Sequence, residues 1–351
     1  MIPTHPVAQW ALALVASLTL ALGLDALAVP AAFLVGPMVA GIALALGGAA
    51  IRPPRPAFLA GQALIGCAVA RALTFQVLAS IAQSWPAMFA AVFATVAVSA
   101  GVGWLLVRFG SLPGSTAAWG TSPGGASAMV AMAQEFGADP VAVAMMQYLR
   151  VVLVVLAASL VSGFMLGPGH PPAGDAAALR AEAPLDPIAL AETLAVAALA
   201  AWAGLRLKVP AGALLAPMGV VAVLQGFGLL AVTLPRPLLL AGYGVIGLSI
   251  GLRFRRDLLR RTLRVLPEML ASALVLVALC GGLAWALVRF VHTDALTAYL
   301  ATSPGGLDSV AIIAASSSAD VPFVLALQTL RVLVVLVTGP ALAKLLSRAA
   351  R

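Results

Sequence analysis

Long apolar runs separated by short polar stretches set the pattern of this chain. The first half divides into six such runs, roughly 7–24, 29–49, 57–71, 86–108, 115–136 and 140–167. The second half divides likewise, at roughly 187–205, 210–230, 237–252, 266–290, 297–318 and 321–345. Several of these runs approach the roughly 20 residues that cross a hydrocarbon core. The third run of each half is shorter. The fifth of each half is rich in Gly, Ser and Pro, which predicts a poor continuous span.

Composition fixes the class. Of 351 residues, 62% are hydrophobic and 9% charged, whereas a soluble domain carries about 25% charge. The chain therefore reads as an integral all-α membrane protein. The opening Met-Ile-Pro-Thr-His-Pro has no basic stretch of a secretory signal, so the first run is expected to remain as a span. Cys67 and Cys280 lie inside apolar runs without CxxC spacing, and His5, His170 and His292 are scattered. No metal site, cofactor or disulfide framework is expected from them. Neither HExxH nor a P-loop pattern occurs to suggest a catalytic site.

The chain repeats itself. Thr-Ser-Pro-Gly-Gly stands at 121–125 and again at 302–306, a displacement of 181 residues. The same displacement carries Pro86, Trp104, Arg108, Asp139, Gln147 and Arg150 onto Pro267, Trp285, Arg289, Asp320, Gln328 and Arg331. Earlier in each half it is 180, matching Val29-Pro30 with Val209-Pro210 and Pro37-Met38 with Pro217-Met218. Chance matches among Ala, Val and Leu are cheap, but matched Trp, Arg, Gln, Asp and Pro are not.

If the fifth run dips in and returns, each half crosses five times, and an odd count inverts the second half. With the N-terminus inside, 14 of the 20 basic residues fall inside, four outside and two (Arg150 and Arg331) within spans. Residues 72–85 carry no charge, whereas 253–264 carry six arginines. A parallel duplication would place both stretches on one side. The expected fold is thus an all-α polytopic membrane protein of two inverted repeats, each of about five transmembrane helices with a broken or re-entrant Gly/Pro segment. The repeats are 1–167 and 187–351, joined by an external linker, 168–186. Nine or eleven uninterrupted spans are the alternative. Either way the basic loops read as topology signals, and no nucleic-acid partner is expected.

The candidate site lies at the repeated motif. Ser122 and Ser303 are expected to N-cap helices that begin at Pro123 and Pro304, directing positive dipole ends to membrane depth. Thr121, Ser122, Gly124, Gly125, Thr302, Ser303, Gly305 and Gly306 would then line a solute site, although Gly and Pro could equally serve close helix packing. Arg150 and Arg331 lie about 15 Å into their runs, where a charge needs a partner or a water-filled cavity. Gln147 and Gln328 share their helix faces. These four residues read either as anion ligands or as caps on the carbonyls of a broken helix. Asp139 and Asp320 are expected to cap the sixth helices. Asp308 and Glu135 break the symmetry, standing where the other half has Ser127 and Ser316. They are candidates for carrying a coupling ion, or for neutralising an arginine.

The duplicated module of Val-Pro, Gly-Pro-Met, Thr-Ser-Pro-Gly-Gly and Gln-Tyr-Leu-Arg-Val-Val resembles the AbrB family of bacterial inner-membrane proteins, from about Val29 to Leu345. Members are labelled ammonia monooxygenases or regulators of aidB expression, and are grouped with cation/proton antiporters and anion transporters. The resemblance implies an inverted-repeat fold with broken helices. It supplies no site residues, and a soluble DNA-binding regulator of the same name is unrelated. The monooxygenase label finds no metal-ligand set in these residues. The expected function is secondary transport of a small solute, more readily an anion, with indirect regulation of gene expression as the alternative. The expected partners are that solute and the bilayer, with a homo-oligomer left open. The expected location is the bacterial inner membrane, with both termini cytoplasmic.

Overall fold

The computed structural model describes residues 5–27, 29, 31–71, 73, 84–124, 126–166, 186–209 and 211–349. Its regular elements among these residues are all helices: α1 Pro6–Ala26, α2 Ala32–Gly47, α3 Arg55–Ala70, α4 Trp85–Phe109, α5 Gly114–Thr121, α6 Ala126–Glu135 and α7 Pro140–Leu166. The second half follows the same order, with α8 Pro187–Arg206, α9 Gly212–Gly226, α10 Arg236–Gly251, α11 Arg256–Thr262, α12 Leu266–Val291, α13 Ala295–Thr302, α14 Leu307–Ala315 and α15 Val321–Ala349. The uncharged stretch 72–85 and the linker 168–186, with Asp175, Arg180 and Glu182, fall mostly outside the described residues.

Each apolar run becomes a helix, and the fifth run of each half becomes two. Proline starts many of them: α1, α3, α4, α8, α10 and α12 carry it in their first two positions, where its missing N–H costs no hydrogen bond. Among the described residues six helices are long and apolar enough to cross a membrane, and α10 with α11 forms a further candidate bent by 45°. Large apolar side chains on them face outward, among them Leu14, Phe93, Leu199, Trp202 and Trp285. A water-exposed surface rarely carries so much of this, and it fits contact with lipid.

The helices gather into two compact units, each drawing on both halves of the sequence. The first comprises Met1–Gln83, Ser159–Arg253 and Asp308–Pro322, and the second Ser84–Ala158, Phe254–Leu307 and Phe323–Arg351. In the first unit α2 packs on α1 and α10, and α9 packs on α8 and α3. These contacts are copies of one another under the repeat. Gly247 meets the carbonyl oxygen of Leu34, and Gly66 meets that of Leu214, so closely that a Cβ on either glycine would overlap it. The duplication reaches the backbone as well. Ala31 and Ala211, at matched positions, both cap their helices in the left-handed region, with φ of 56° and 51°. Gly41 lies against Leu248 and Gly251, and Leu34 against Gly247, so α2 and α10 run in the same direction.

In the second unit α4 packs on α12. Val102 shares a buried cluster with Leu276 and Cys280. Ser111, just past the end of α4, donates from its N–H and its hydroxyl to the two oxygens of Glu268 in the first turn of α12, each at 2.8 Å. The matched helices α4 and α12 are therefore antiparallel.

Valine at Gly66 or Gly247 should lower stability by about 1–3 kcal/mol through overpacking. Alanine at Gly101 or Gly282, where a Cβ would meet nothing within 4 Å, should leave it unchanged or raise it by about 0.5–1 kcal/mol. Melting of the detergent-purified variants checks this, and equal midpoints for all four would contradict the close crossings.

Candidate functional site

The repeated Ser-Pro-Gly-Gly segments interrupt the helices, but not in the way expected. Ser122 and Ser303 end α5 and α13 and do not begin the helices that follow. Their backbones are extended, with ψ of 128° and 135°, as required of a residue preceding proline. Their hydroxyls turn back, Ser122 Oγ donating to Ala118 O at 2.8 Å and Ser303 Oγ to Leu300 O at 2.9 Å. The next helices start only at Ala126 and Leu307, beyond the glycines. The expectation of serine N-caps is therefore overturned. Thr121 and Thr302, the last residues of α5 and α13, likewise bond back to Ala117 O and Ala298 O, each at 2.9 Å.

A helix that stops inside an apolar protein leaves its final carbonyls without partners. Here the sixth run of each half supplies them. Gln147 Nε2 donates to the carbonyls of Trp119, Gly120 and Ser122 at 2.9, 3.1 and 3.1 Å. Arg150 donates from Nη1 to Ser122 O at 2.7 Å and from Nη2 to Gly124 O at 3.4 Å. In the second half Gln328 Nε2 reaches Leu300 O and Ser303 O at 2.8 and 3.0 Å. Arg331 reaches Ser303 O and Gly305 O at 2.6 and 3.0 Å. All four side chains are at most 2% exposed. Of the two roles open to these residues, carbonyl capping is the one their contacts display. A cation at the negative end of a helix is favourable in its own right.

The two arginines are near enough for their charges to interact, and Cys280 lies within electrostatic reach of both. Among the described residues neither guanidinium has a carboxylate partner, and neither Nε–H has an acceptor. Beside the first break is a cleft of about 10 Å³, room for about one water, bordered by Ser99, Thr121, Ser122, Pro123, Val335 and Leu342. Ser99 Oγ is buried there without a partner among the described residues.

The other candidates lie elsewhere. Asp308, in the first turn of α14, belongs to the first compact unit, where both its oxygens accept from Gln62 Nε2 at 3.0 Å. Its hydrogen-bond partner is thus an amide, and within the same unit Arg253 lies within electrostatic reach of it. Gly125 and the side chain of Glu135 lie outside the described residues. Gly306 is part of the second break without a side-chain partner role. Asp139 caps α7 as expected, accepting from Val141 N and Ala142 N at 2.8 and 3.3 Å. Sequence reasoning missed Gln62 and Ser99. An amide in the middle of an otherwise apolar helix was the signal for the first. Cys280 is a buried member of an apolar cluster, as its place in an apolar run implied, and Ser99 is its counterpart 181 residues earlier. Among the described residues no group of three or more His, Cys, Asp or Glu is placed to hold a metal ion.

Apolar helices of membrane-crossing length, with two interrupted helices capped by buried arginines, fit a protein of the polytopic membrane class. The chain belongs to the AbrB family: the family model described as "Transition state regulatory protein AbrB" matches residues 33–347. It is 49% identical over 345 residues to an Escherichia coli (strain K12) protein named "Putative regulator AbrB", covering 97% of both chains. It is also 28% identical over 299 residues to "Uncharacterized protein YhjN" of Bacillus subtilis (strain 168), covering 82% of this chain and 77% of that one. These names describe a regulator or no activity, and not an enzyme.

Lysine in place of Arg331 should leave one of the Ser303 and Gly305 carbonyls uncapped, because an ammonium lacks the planar fork. The expected loss is about 1–3 kcal/mol, read as a lower melting midpoint. An unchanged midpoint would mean that the break is held by other contacts.

Proposed function

We propose that the chain is a secondary transporter of a small anionic solute in a bacterial inner membrane, built from two inverted repeats with both termini cytoplasmic. The observation that carries this reading is the pair Arg150 and Arg331. Two like charges, buried within reach of one another and without a carboxylate partner among the described residues, are costly in a medium of low dielectric. Helix-end carbonyls offset part of that cost. A mobile anion would offset the rest, and would leave when the site opens to water.

The same arrangement disfavours a cation as the solute. In transporters with broken helices, carbonyl ends of half-helices commonly coordinate the transported cation. Here the chain's own guanidinium groups already occupy those ends. Thr121, Ser122, Gly124, Gly125, Thr302, Ser303, Gly305 and Gly306 form the breaks around this pair. Asp308, held by Gln62, and Glu135 are the candidates for a coupling ion.

Helix directions support the inversion. Copies related by parallel duplication would send α4 and α12 the same way across the membrane, yet Ser111 bonds to Glu268 across their antiparallel ends. The unmatched α2 and α10 run together, as an inverted copy requires. Single cysteines at the ends of 72–85 and 253–264 test this in cells, and labelling of both from one side would refute the inverted topology.

The function is tested by melting the detergent-purified protein against small anions, cations and neutral metabolites. An anion present at 100 times its dissociation constant should stabilise the fold by about 2.7 kcal/mol, and reconstituted vesicles should take it up. Arg331→Ala should abolish both effects while still inserting in the membrane. Silence across the panel from a folded protein would favour the alternative suggested by the name of the Escherichia coli relative, a membrane-bound regulator acting indirectly. The arginine-rich segment around α11 would then be its docking surface.

A further inference from the structure

The two capping sites are not identical. In the first half Arg150 Nη2 donates to Gln147 Oε1 at 2.7 Å, so the amide oxygen of Gln147 is satisfied. In the second half no such bond forms. Arg331 Nη2 instead sits closer to its glycine carbonyl, at 3.0 Å to Gly305 O against 3.4 Å from Arg150 Nη2 to Gly124 O. Gln328 Oε1 is left fully buried with no donor among the described residues, and the Nε–H groups of both arginines are left with no acceptor.

The orientation of the Gln328 amide is not free. Its Nε2 faces two carbonyl oxygens, those of Leu300 and Ser303, and its Nε2 also lies 3.5 Å from Ser303 Oγ. Turning the amide over would set oxygen against both carbonyls. The acceptor therefore points away from the helix end. It stays on the same helix face as Arg331, three residues on, where the matched Gln147 and Arg150 are in direct contact.

We infer that the solute is an anion carrying a hydrogen-bond donor of its own, a hydroxy acid or a protonated oxyanion, whose negative oxygens take the arginine Nε–H groups and whose O–H is given to Gln328 Oε1. This deepens the anion-transport reading and rests on it. A halide or simple carboxylate would satisfy the donors and leave the acceptor buried and unpaired, a penalty that buried polar groups impose strongly on ligands lacking the complementary group.

The test compares matched probes that differ by one hydroxyl: glycolate against acetate, and lactate against propionate, titrated calorimetrically into the detergent-purified protein. The hydroxylated member of each pair should bind about tenfold more tightly, the worth of about one hydrogen bond. Gln328→Met should abolish that preference while acetate and propionate still bind. If the variant fails to fold, the wild-type comparison decides alone. Equal binding of the paired acids would overturn the inference and leave the anion reading standing. A preference that survives Gln328→Met would overturn the role of Gln328. Binding of none of the four acids, nor of chloride or phosphate, would overturn the anion reading itself.

Discussion

Everything distinctive in the second compact unit depends on how two interrupted helices are closed. Stopping a helix inside an apolar protein strands carbonyl groups that water cannot reach, and each stranded group is worth a sizeable fraction of a domain's stability. Gln147 and Arg150 answer that need in one half, Gln328 and Arg331 in the other, through bonds that match almost one for one. The solution brings its own problem, because it buries two positive charges within electrostatic reach of one another. Structure and charge balance thus come from the same four residues. A group that binds the arginines must share them with the carbonyls they already hold.

The first compact unit solves a different problem, that of bringing helices from two halves of the chain into contact. Its crossings use glycine where one backbone lies on another, at Gly66 and Gly247, and alanine where side chains fill the gap. Close approach of this kind suits a membrane protein, in which van der Waals packing must supply what the hydrophobic effect supplies in water. The left-handed alanines at the starts of α2 and α9 show how far the duplication extends, since an unfavourable backbone conformation has been kept in both copies.

Much of this was legible in the sequence because hydropathy reports depth and displacement reports duplication. Both are properties of residues taken alone or in pairs along the chain. The helices, the interruptions and the burial of Arg150 and Arg331 follow from them. What a buried donor bonds to is another matter. Depth requires that Arg150 have a partner, but only the path of α5 decides that the partner is a carbonyl. The serines were misjudged for a local reason. Proline can begin a helix at Pro123 only if the preceding serine ends none, and the eight residues of α5 claim it first. Gln62 escaped notice because its partner, Asp308, is 246 residues away. The compact units, which cut across both halves, leave no mark in composition.

The bond between Ser111 and Glu268 has a further consequence for the duplication. Under the repeat its two positions correspond to His292 and Ala87, and the side chain of alanine has no oxygen with which to accept. The side-chain link between α4 and α12 is therefore particular to one pair of positions, and the two copies differ there although they keep the same glutamines and arginines at their breaks.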